Sequence, residues 1–194
     1  MTANNDVFVN VPFDAEYEPL LVALISGLAT VGLVARSVVE IPANKDRLTR
    51  LKKLIRSCQS SVHDLSCVES TGGCPRFNMP FELGLAVGLK TTDRWIVLER
   101  KRHRLGKTLS DLNGYDPYIH EGKPELVLQA ISNAFKRRKP PHPTLANMKR
   151  VHRNVVSVAA KVKAEHGPIL TAEGFRAFTA IAQGFAEGEV LGKK

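Results

Sequence analysis

Strand-like and helix-like segments alternate along the first 140 residues, and this alternation limits the possible folds more than any other feature of the chain. The strand-like runs are apolar and rich in β-branched residues, and a helical spacing of apolar side chains follows most of them. Strands are predicted at 7–11, 33–39, 59–65 and 95–98, and helices at 20–30, 45–58, 78–90 and 124–138. This order is typical of an α/β fold with a doubly wound parallel sheet.

The chain changes character after this region. A run of basic residues and three prolines, KRRKPPHPT, spans residues 136–144 and is typical of a linker. Two helical patterns follow, at 145–165 and 171–189, separated by His166, Gly167 and Pro168. We therefore predict an α/β domain over 1–138, a linker over 139–144 and a C-terminal helical hairpin over 145–194. Two helices alone bury little surface, so the hairpin should pack on the main domain or on a second subunit.

Composition and charge narrow the class of protein. The 194 residues are 43 % hydrophobic, which suffices for a core. The sequence contains no apolar run of 18 or more residues, so no membrane span is predicted. Three cysteines and a start without a signal-peptide pattern predict a reduced, cytoplasmic protein. The net charge of +9 arises entirely after residue 82. Nucleic acid is therefore a possible partner of this basic part. However, the sequence contains no known nucleic-acid-binding motif, and a solvated surface explains the positive charge equally well.

Polar side chains occur where the predicted strands end, which is where parallel α/β sheets bind ligands. Asn10 interrupts the first strand at its end, and Phe13 and Asp14 follow in the loop. Asp64 closes the third strand. All four are candidates for substrate binding, with Phe13 stacking on a base or ribose. Each also has a structural alternative. Asn10 and Asp14 can cap the next helix, Phe13 can belong to the core, and Asp64 can be a buried structural carboxylate.

Segment 77–89, FNMPFELGLAVGL, contains a single ionisable side chain, Glu82. A carboxylate in an otherwise apolar helix costs several kcal/mol unless it is paired, hydrogen-bonded or protonated. Asn78 is predicted to cap this helix, so Glu82 should lie near the helix start and face the strand ends, with Asn78 one turn away as a further binding residue. Asp64 is expected to point into the same crevice. The alternative is that Glu82 only satisfies a nearby arginine or a backbone N–H.

The remaining motifs concern helix packing, zinc binding and three common kinds of catalysis. Gly84 and Gly88, four residues apart, are predicted to let the helix pack closely on the sheet. The side chains that could hold zinc match no common ligand spacing: Cys58, His63, Cys67 and Cys74. The chain has no GxSxG elbow, Walker A loop or GxGxxG motif, so serine hydrolysis, ATP hydrolysis and hydride transfer are not supported. No metal and no cofactor is expected.

The motif VFVNVPFD near the start and NMPFELGLAVGL after the third strand together resemble the nucleoside 2-deoxyribosyltransferase and TIR-like superfamily. The similarity is to small bacterial members of unassigned or defence-related role. It covers about residues 6–137, does not extend to the C-terminal hairpin, and is most specific at ELGLA. The resemblance implies a flavodoxin-like sheet of four to five strands and cleavage of an N-glycosidic bond in a nucleoside or in NAD. The transferases usually carry an acidic residue and small residues before their glutamate, where this chain has RFNMPF.

Carried onto this sequence, the resemblance implies Glu82 as the catalytic carboxylate. It also implies that Asn10, Phe13 and Asp14 lie in the loop that holds the sugar or phosphate, and that Asp64 lies beside the ribose or base. A carboxylate suits this reaction, because breaking the C1′–N bond builds positive charge on the ribose. The predicted function is therefore N-glycosidase activity, with a nucleoside or NAD as substrate.

Two other functions remain open. The same crevice can belong to a non-catalytic module that senses a nucleotide and signals to a protein partner through the hairpin. Alternatively, residues 136–163 can bind nucleic acid, which predicts a steep loss of affinity with added salt. A homo-oligomer is also expected, because the apolar faces of the hairpin need cover and because sites in this superfamily are often completed by a neighbouring subunit.

Overall fold

The sheet has five strands, all parallel, in the order β2–β1–β3–β4–β5. The structure is a computed structural model that describes residues 4–43, 46–67, 76–89, 94–102, 107, 109–135 and 140–192. The strands are β1 Asp6–Asn10, β2 Val34–Ser37, β3 Ser60–Asp64, β4 Trp95–Glu99 and β5 Tyr118–Ile119. This is the flavodoxin-like strand order. The prediction of a flavodoxin-like α/β fold with four to five parallel strands and C-terminal helices is therefore confirmed.

In the described part of the chain, six α-helices accompany the sheet. They are α1 Glu18–Thr30, α2 Arg47–Ser57, α3 Asn78–Leu89, α4 Pro124–Ala134, α5 Leu145–His166 and α6 Ala172–Leu191. Short 3₁₀ turns lie at Ala15–Tyr17, Val38–Glu40 and Ser110–Leu112. The predicted helix ends at 45, 90 and 136–138, and the first linker residue, 139, lie outside the described residues.

Alternation along the strands separates two faces of the sheet. Val7 and Val9 on β1 pack in the same cluster as α1 and α4, whereas Phe8 between them packs with α2 and α3. On the first face, Gly27 of α1 lets α4 approach closely, because a Cβ at that position would lie 3.2 Å from a methyl carbon of Ile131. Helices cover both faces, and the carboxyl ends of the strands stay at one edge.

Helix α1 lies inside the molecule rather than on its surface. Its sequence is apolar almost throughout, and every residue from Leu20 to Thr30 is buried. The sheet and α4 cover part of it, and α5 and α6 cover the rest. Their buried stripes are Met148, Val151, Val155 and Val162 on α5, and Phe175, Phe178, Ala182 and Ala186 on α6. The C-terminal hairpin thus packs on the α/β domain and shares its core.

The turn of the hairpin allows α5 and α6 to meet closely. Gly174 lies so near the preceding loop that a Cβ there would be 2.1 Å from the carbonyl oxygen of Pro168. Thr144 caps α5 and Thr171 caps α6 through their side-chain oxygens.

Among the helices that the structure describes, none combines the length and the apolar character that crossing a bilayer requires.

Candidate functional site

The chain order across the sheet reverses at β1. The chain passes from β1 to β2 on one side and then returns to β3 on the other. The loops after β1 and β3 therefore leave toward opposite faces and open a crevice at the carboxyl edge. This is the position at which doubly wound sheets bind ligands, and Asn10 and Asp64 end the two strands that border it.

Asn10 is buried and holds the start of α3. Its Nδ2 donates a hydrogen bond to the carbonyl oxygen of Met79 at 2.8 Å and lies 3.0 Å from Nδ1 of His63. Since an amide nitrogen only donates, Nδ1 of His63 is the acceptor. The side chain does not cap the helix after β1, because it bonds to α3 instead. Its role as a substrate-binding residue stays a prediction.

Helix α3 begins at Asn78. The carbonyl of Phe77 accepts the N–H of Phe81 at 3.0 Å, so Phe77 holds the cap position and Asn78 is the first helical residue. The prediction that Asn78 caps the helix was wrong by one residue. Its side chain is exposed at the helix end, whereas Glu82, one turn later, is buried.

Glu82 is the most unusual side chain of the site. It lies on the buried stripe of α3 with Met79, Leu83 and Ala86, and its exposed fraction is 8 %. Its Oε2 has no hydrogen-bond partner among the residues that the structure describes. Burial raises the pKa of the carboxyl from 4.5 to about 7, and the positive charge of Arg47 on α2 opposes this rise.

Arg47 does not satisfy the carboxylate of Glu82. The Nη1 of Arg47 donates to the carbonyl oxygen of Ile41 at 3.0 Å. In the alternative interpretation Glu82 serves only to bind an arginine or a backbone N–H, but its Oε2 accepts a hydrogen bond from neither in the described part of the chain. A buried carboxylate without such a bond is costly to keep, which is typical of functional groups.

Asp64 does not share the crevice with Glu82, contrary to the prediction. Its neighbour His63 faces α3 with Asn10, and successive side chains of a strand point to opposite faces, so Asp64 faces α1. There its carboxylate accepts the O–H of Tyr17 and, at 2.8 Å, the N–H of Ser66. Its structural alternative, a buried and hydrogen-bonded carboxylate, describes this environment well.

His120, after β5, completes the network around Asp64. Its Nδ1 accepts the N–H of Gly122 at 3.0 Å, so a neutral ring carries its proton on Nε2. That Nε2 lies 3.1 Å from Asp64 Oδ2 and 2.7 Å from Ser66 Oγ. A protonated Nε2 cannot accept a proton from the serine, so the cluster is not a nucleophile–base pair. Burial, followed by the charge of Asp64, raises the pKa of Tyr17 well above its usual value.

Sequence reasoning missed His120 and Tyr17. The available signal was the position of His120 at the end of the turn-rich segment, where a fifth strand ends against β4.

The mouth of the crevice carries an ion pair and exposed rings. Asp14, which does not cap the short helix after it, pairs with Arg76 at the approach to α3, and both are about one-third exposed. Phe13 is 41 % exposed, so it does not belong to the core. Phe77 and Phe81 are exposed to 70 % and 51 %. The loop after β1 and the start of α3 thus meet through charges and leave aromatic surface open to solvent.

Gly84 and Gly88 face solvent and do not pack on the sheet. A Cβ at either position would meet no atom within 4 Å. The prediction of close packing was wrong because the buried stripe runs through Met79, Glu82 and Ala86, which places both glycines on the outer side.

Within the described ranges, no three His, Cys, Asp or Glu side chains are grouped so as to hold a metal ion. Cys74, one of the residues considered for zinc, lies outside these ranges. Comparison of the chain with protein-family models, with curated proteins and with solved structures finds no match in any of the three.

Proposed function

We propose that the protein is an N-glycosidase that cleaves the ribose C1′–N bond of NAD or a related pyridine nucleotide, with Glu82 as its essential carboxylate. The observation that carries this proposal is the state of Glu82. It is buried on α3 within one turn of Met79, whose carbonyl accepts from Asn10 at the end of β1, and its Oε2 has no hydrogen-bond partner among the described residues. A carboxylate held in this way is available to a substrate.

The chemistry requires the ionised form of Glu82. As the C1′–N bond breaks, its electron pair leaves with the base and the ribose becomes an oxocarbenium-like cation. The carboxylate stabilises that cation or attacks C1′, and a water molecule then adds to C1′ and releases a proton. With a pKa of about 7, the carboxyl of Glu82 is about half ionised at neutral pH.

The arrangement of acids favours a pyridinium substrate. A neutral purine or pyrimidine base departs more readily when an acid protonates it. In a pyridinium nucleotide the ring is already positively charged, so nicotinamide departs as a neutral molecule without an acid. Asp64, the acid expected beside Glu82, is turned to the other face and bonded to Tyr17 and Ser66. A positively charged ring in the crevice would also lower the pKa of Glu82 and favour the ionised form.

The decisive experiment measures release of free base by mass spectrometry. Purified protein is incubated separately with NAD, NADP and common nucleosides, and Glu82→Gln is compared with wild type. Glu187→Gln serves as the matched control, because Glu187 is an exposed glutamate on α6, away from the crevice. We expect nicotinamide release by wild type and by Glu187→Gln, and a loss of about 10³-fold or more in Glu82→Gln.

Equal base release by wild type and Glu82→Gln, or none by either protein from any of these compounds, contradicts the proposal. Thermal stabilisation by NAD without any product supports instead the non-catalytic sensing module. A loss of activity in both glutamate variants would show that the effect does not belong to the crevice.

A further inference from the structure

A second cavity lies between α4 and α5. Its volume is about 490 Å³, within the range of small-molecule sites. Pro124, Leu128 and Ala146 form an apolar part of its wall. Helix α4 packs on the α1 face of the sheet, whereas Glu82 lies on the face covered by α2 and α3. The cavity is therefore separate from the crevice described above.

Positive charge dominates the wall that α5 contributes. Lys149, Arg150 and Arg153 line the cavity within little more than one helical turn. Arg150 is already paired, with Nη2 2.6 Å from a carboxylate oxygen of Glu189 on α6. Lys149 and Arg153, four residues apart on one helix face, have no carboxylate partner among the described residues. Two cations thus remain free to bind an anion.

The rest of the polar wall suits hydroxyl and ring N–H groups. Glu125, in the first turn of α4, brings a carboxylate that only accepts hydrogen bonds when ionised. His152 is half-buried, and burial lowers the pKa of its imidazole, against the weaker effect of Glu125, so the ring is mainly neutral at pH 7. Neither group favours a bare polyanion.

We propose that this cavity is a second ligand site that binds a small phosphorylated molecule of the size of a nucleoside monophosphate. Lys149 and Arg153 hold the phosphate, Glu125 accepts from hydroxyl groups, and Pro124 and Ala146 offer apolar surface to a ring. A nucleic-acid strand fits less well, because strong binding of a strand neutralises several phosphates, whereas two cations are free here and a carboxylate stands beside them.

The test titrates the full chain with adenosine monophosphate, adenosine and inorganic phosphate by isothermal calorimetry. The double variant Lys149→Gln/Arg153→Gln removes the free cations. The matched control, Lys53→Gln/Lys161→Gln, removes two exposed charges outside the cavity. We expect the Kd for adenosine monophosphate to rise about tenfold or more in the cavity variant and to change little in the control. We also expect adenosine to bind more weakly than its monophosphate.

Glu125→Gln tests the site by a change that should raise the affinity for an anion instead of lowering it. Removing this negative charge should tighten the binding of inorganic phosphate, and thermal melting of each variant establishes that it is folded. Unchanged affinity in the cavity variant would overturn the proposal, because the nucleotide would then bind elsewhere. Equal losses in both double variants would reduce the effect to net charge and overturn it as well. A single-stranded oligonucleotide that binds while the monophosphate does not would show a nucleic-acid surface instead.

Discussion

Burial of Glu82 should make the stability of the protein depend on pH in a definite direction. The pKa of this carboxyl rises from 4.5 to about 7 on folding. Between these values the folded state keeps a proton that the unfolded chain has released. The free energy of unfolding therefore falls as pH rises from about 4.5 to about 7 and levels off above that. The shift corresponds to about 3 kcal/mol.

The substitution Glu82→Gln removes this titration with little change in shape. We expect the variant and wild type to differ little near pH 3.5, where the carboxyl is mostly protonated in both states. At pH 8 the variant should be more stable by about 3 kcal/mol. Other titrating groups act equally in both proteins and cancel in the difference.

Urea unfolding at a series of pH values measures this difference. The single tryptophan, Trp95, is a suitable fluorescent probe, because its ring stacks on Tyr115 at a centroid distance of 4.3 Å and unfolding separates the two. Glu187→Gln, which changes an exposed glutamate, should follow wild type throughout. A stability difference between wild type and Glu82→Gln that stays constant from pH 5 to pH 8 would refute the reasoning.

Two further predictions concern the frame around the site, both read from the urea midpoint. Gly174→Ala should lower the free energy of unfolding by ~3 kcal/mol, because the new Cβ would meet the Pro168 carbonyl; Gly184→Ala, with open space around it, should raise it by ~1 kcal/mol. Equal effects of the two would contradict the packing of the hairpin turn. His120→Phe should lower the free energy of unfolding by ~3 kcal/mol, since it removes a donor to the buried Asp64 and leaves the N–H of Gly122 without its acceptor. A decrease below ~1 kcal/mol would argue against the network.

The sequence predicted the fold class well because apolar periodicity is a local property. Each of the four longer strands and each of the six described α-helices appears within a few residues of its predicted position. The fifth strand, Tyr118–Ile119, could not be recognised, since two residues show no alternation and lie within a turn-rich segment. It exists because β4 offers a free edge on which these residues pair.

The site was harder to predict because side-chain direction depends on register. A shift of one residue turns a strand side chain to the other face of the sheet, so a position at the end of β3 does not decide which face Asp64 lies on. Glu82 was identifiable from its apolar surroundings alone. The helix period that buries it also turns Gly84 outward, but only the docked helix reveals which stripe faces the sheet.

Self-association stays a prediction, but the apolar stripes of the hairpin do not require it. These stripes of α5 and α6 are covered by α1. The exposed apolar side chains on the described part of α3 are Phe77 at its entry, Phe81 and Val87. The partner surface expected on the hairpin is therefore less apolar than the sequence pattern suggests.

The enclosed position of α1 has a consequence for biosynthesis. Leu20 to Thr30 are buried and, apart from Ser26 and Thr30, apolar, yet part of their cover comes from α6, which ends at Leu191. At common rates of translation, on the order of ten seconds pass between the emergence of the two helices from the ribosome. During that interval the face of α1 that α6 will cover stays exposed, and exposed apolar segments are the kind that chaperones bind. The domain can therefore complete its fold only after α6 has emerged from the ribosome.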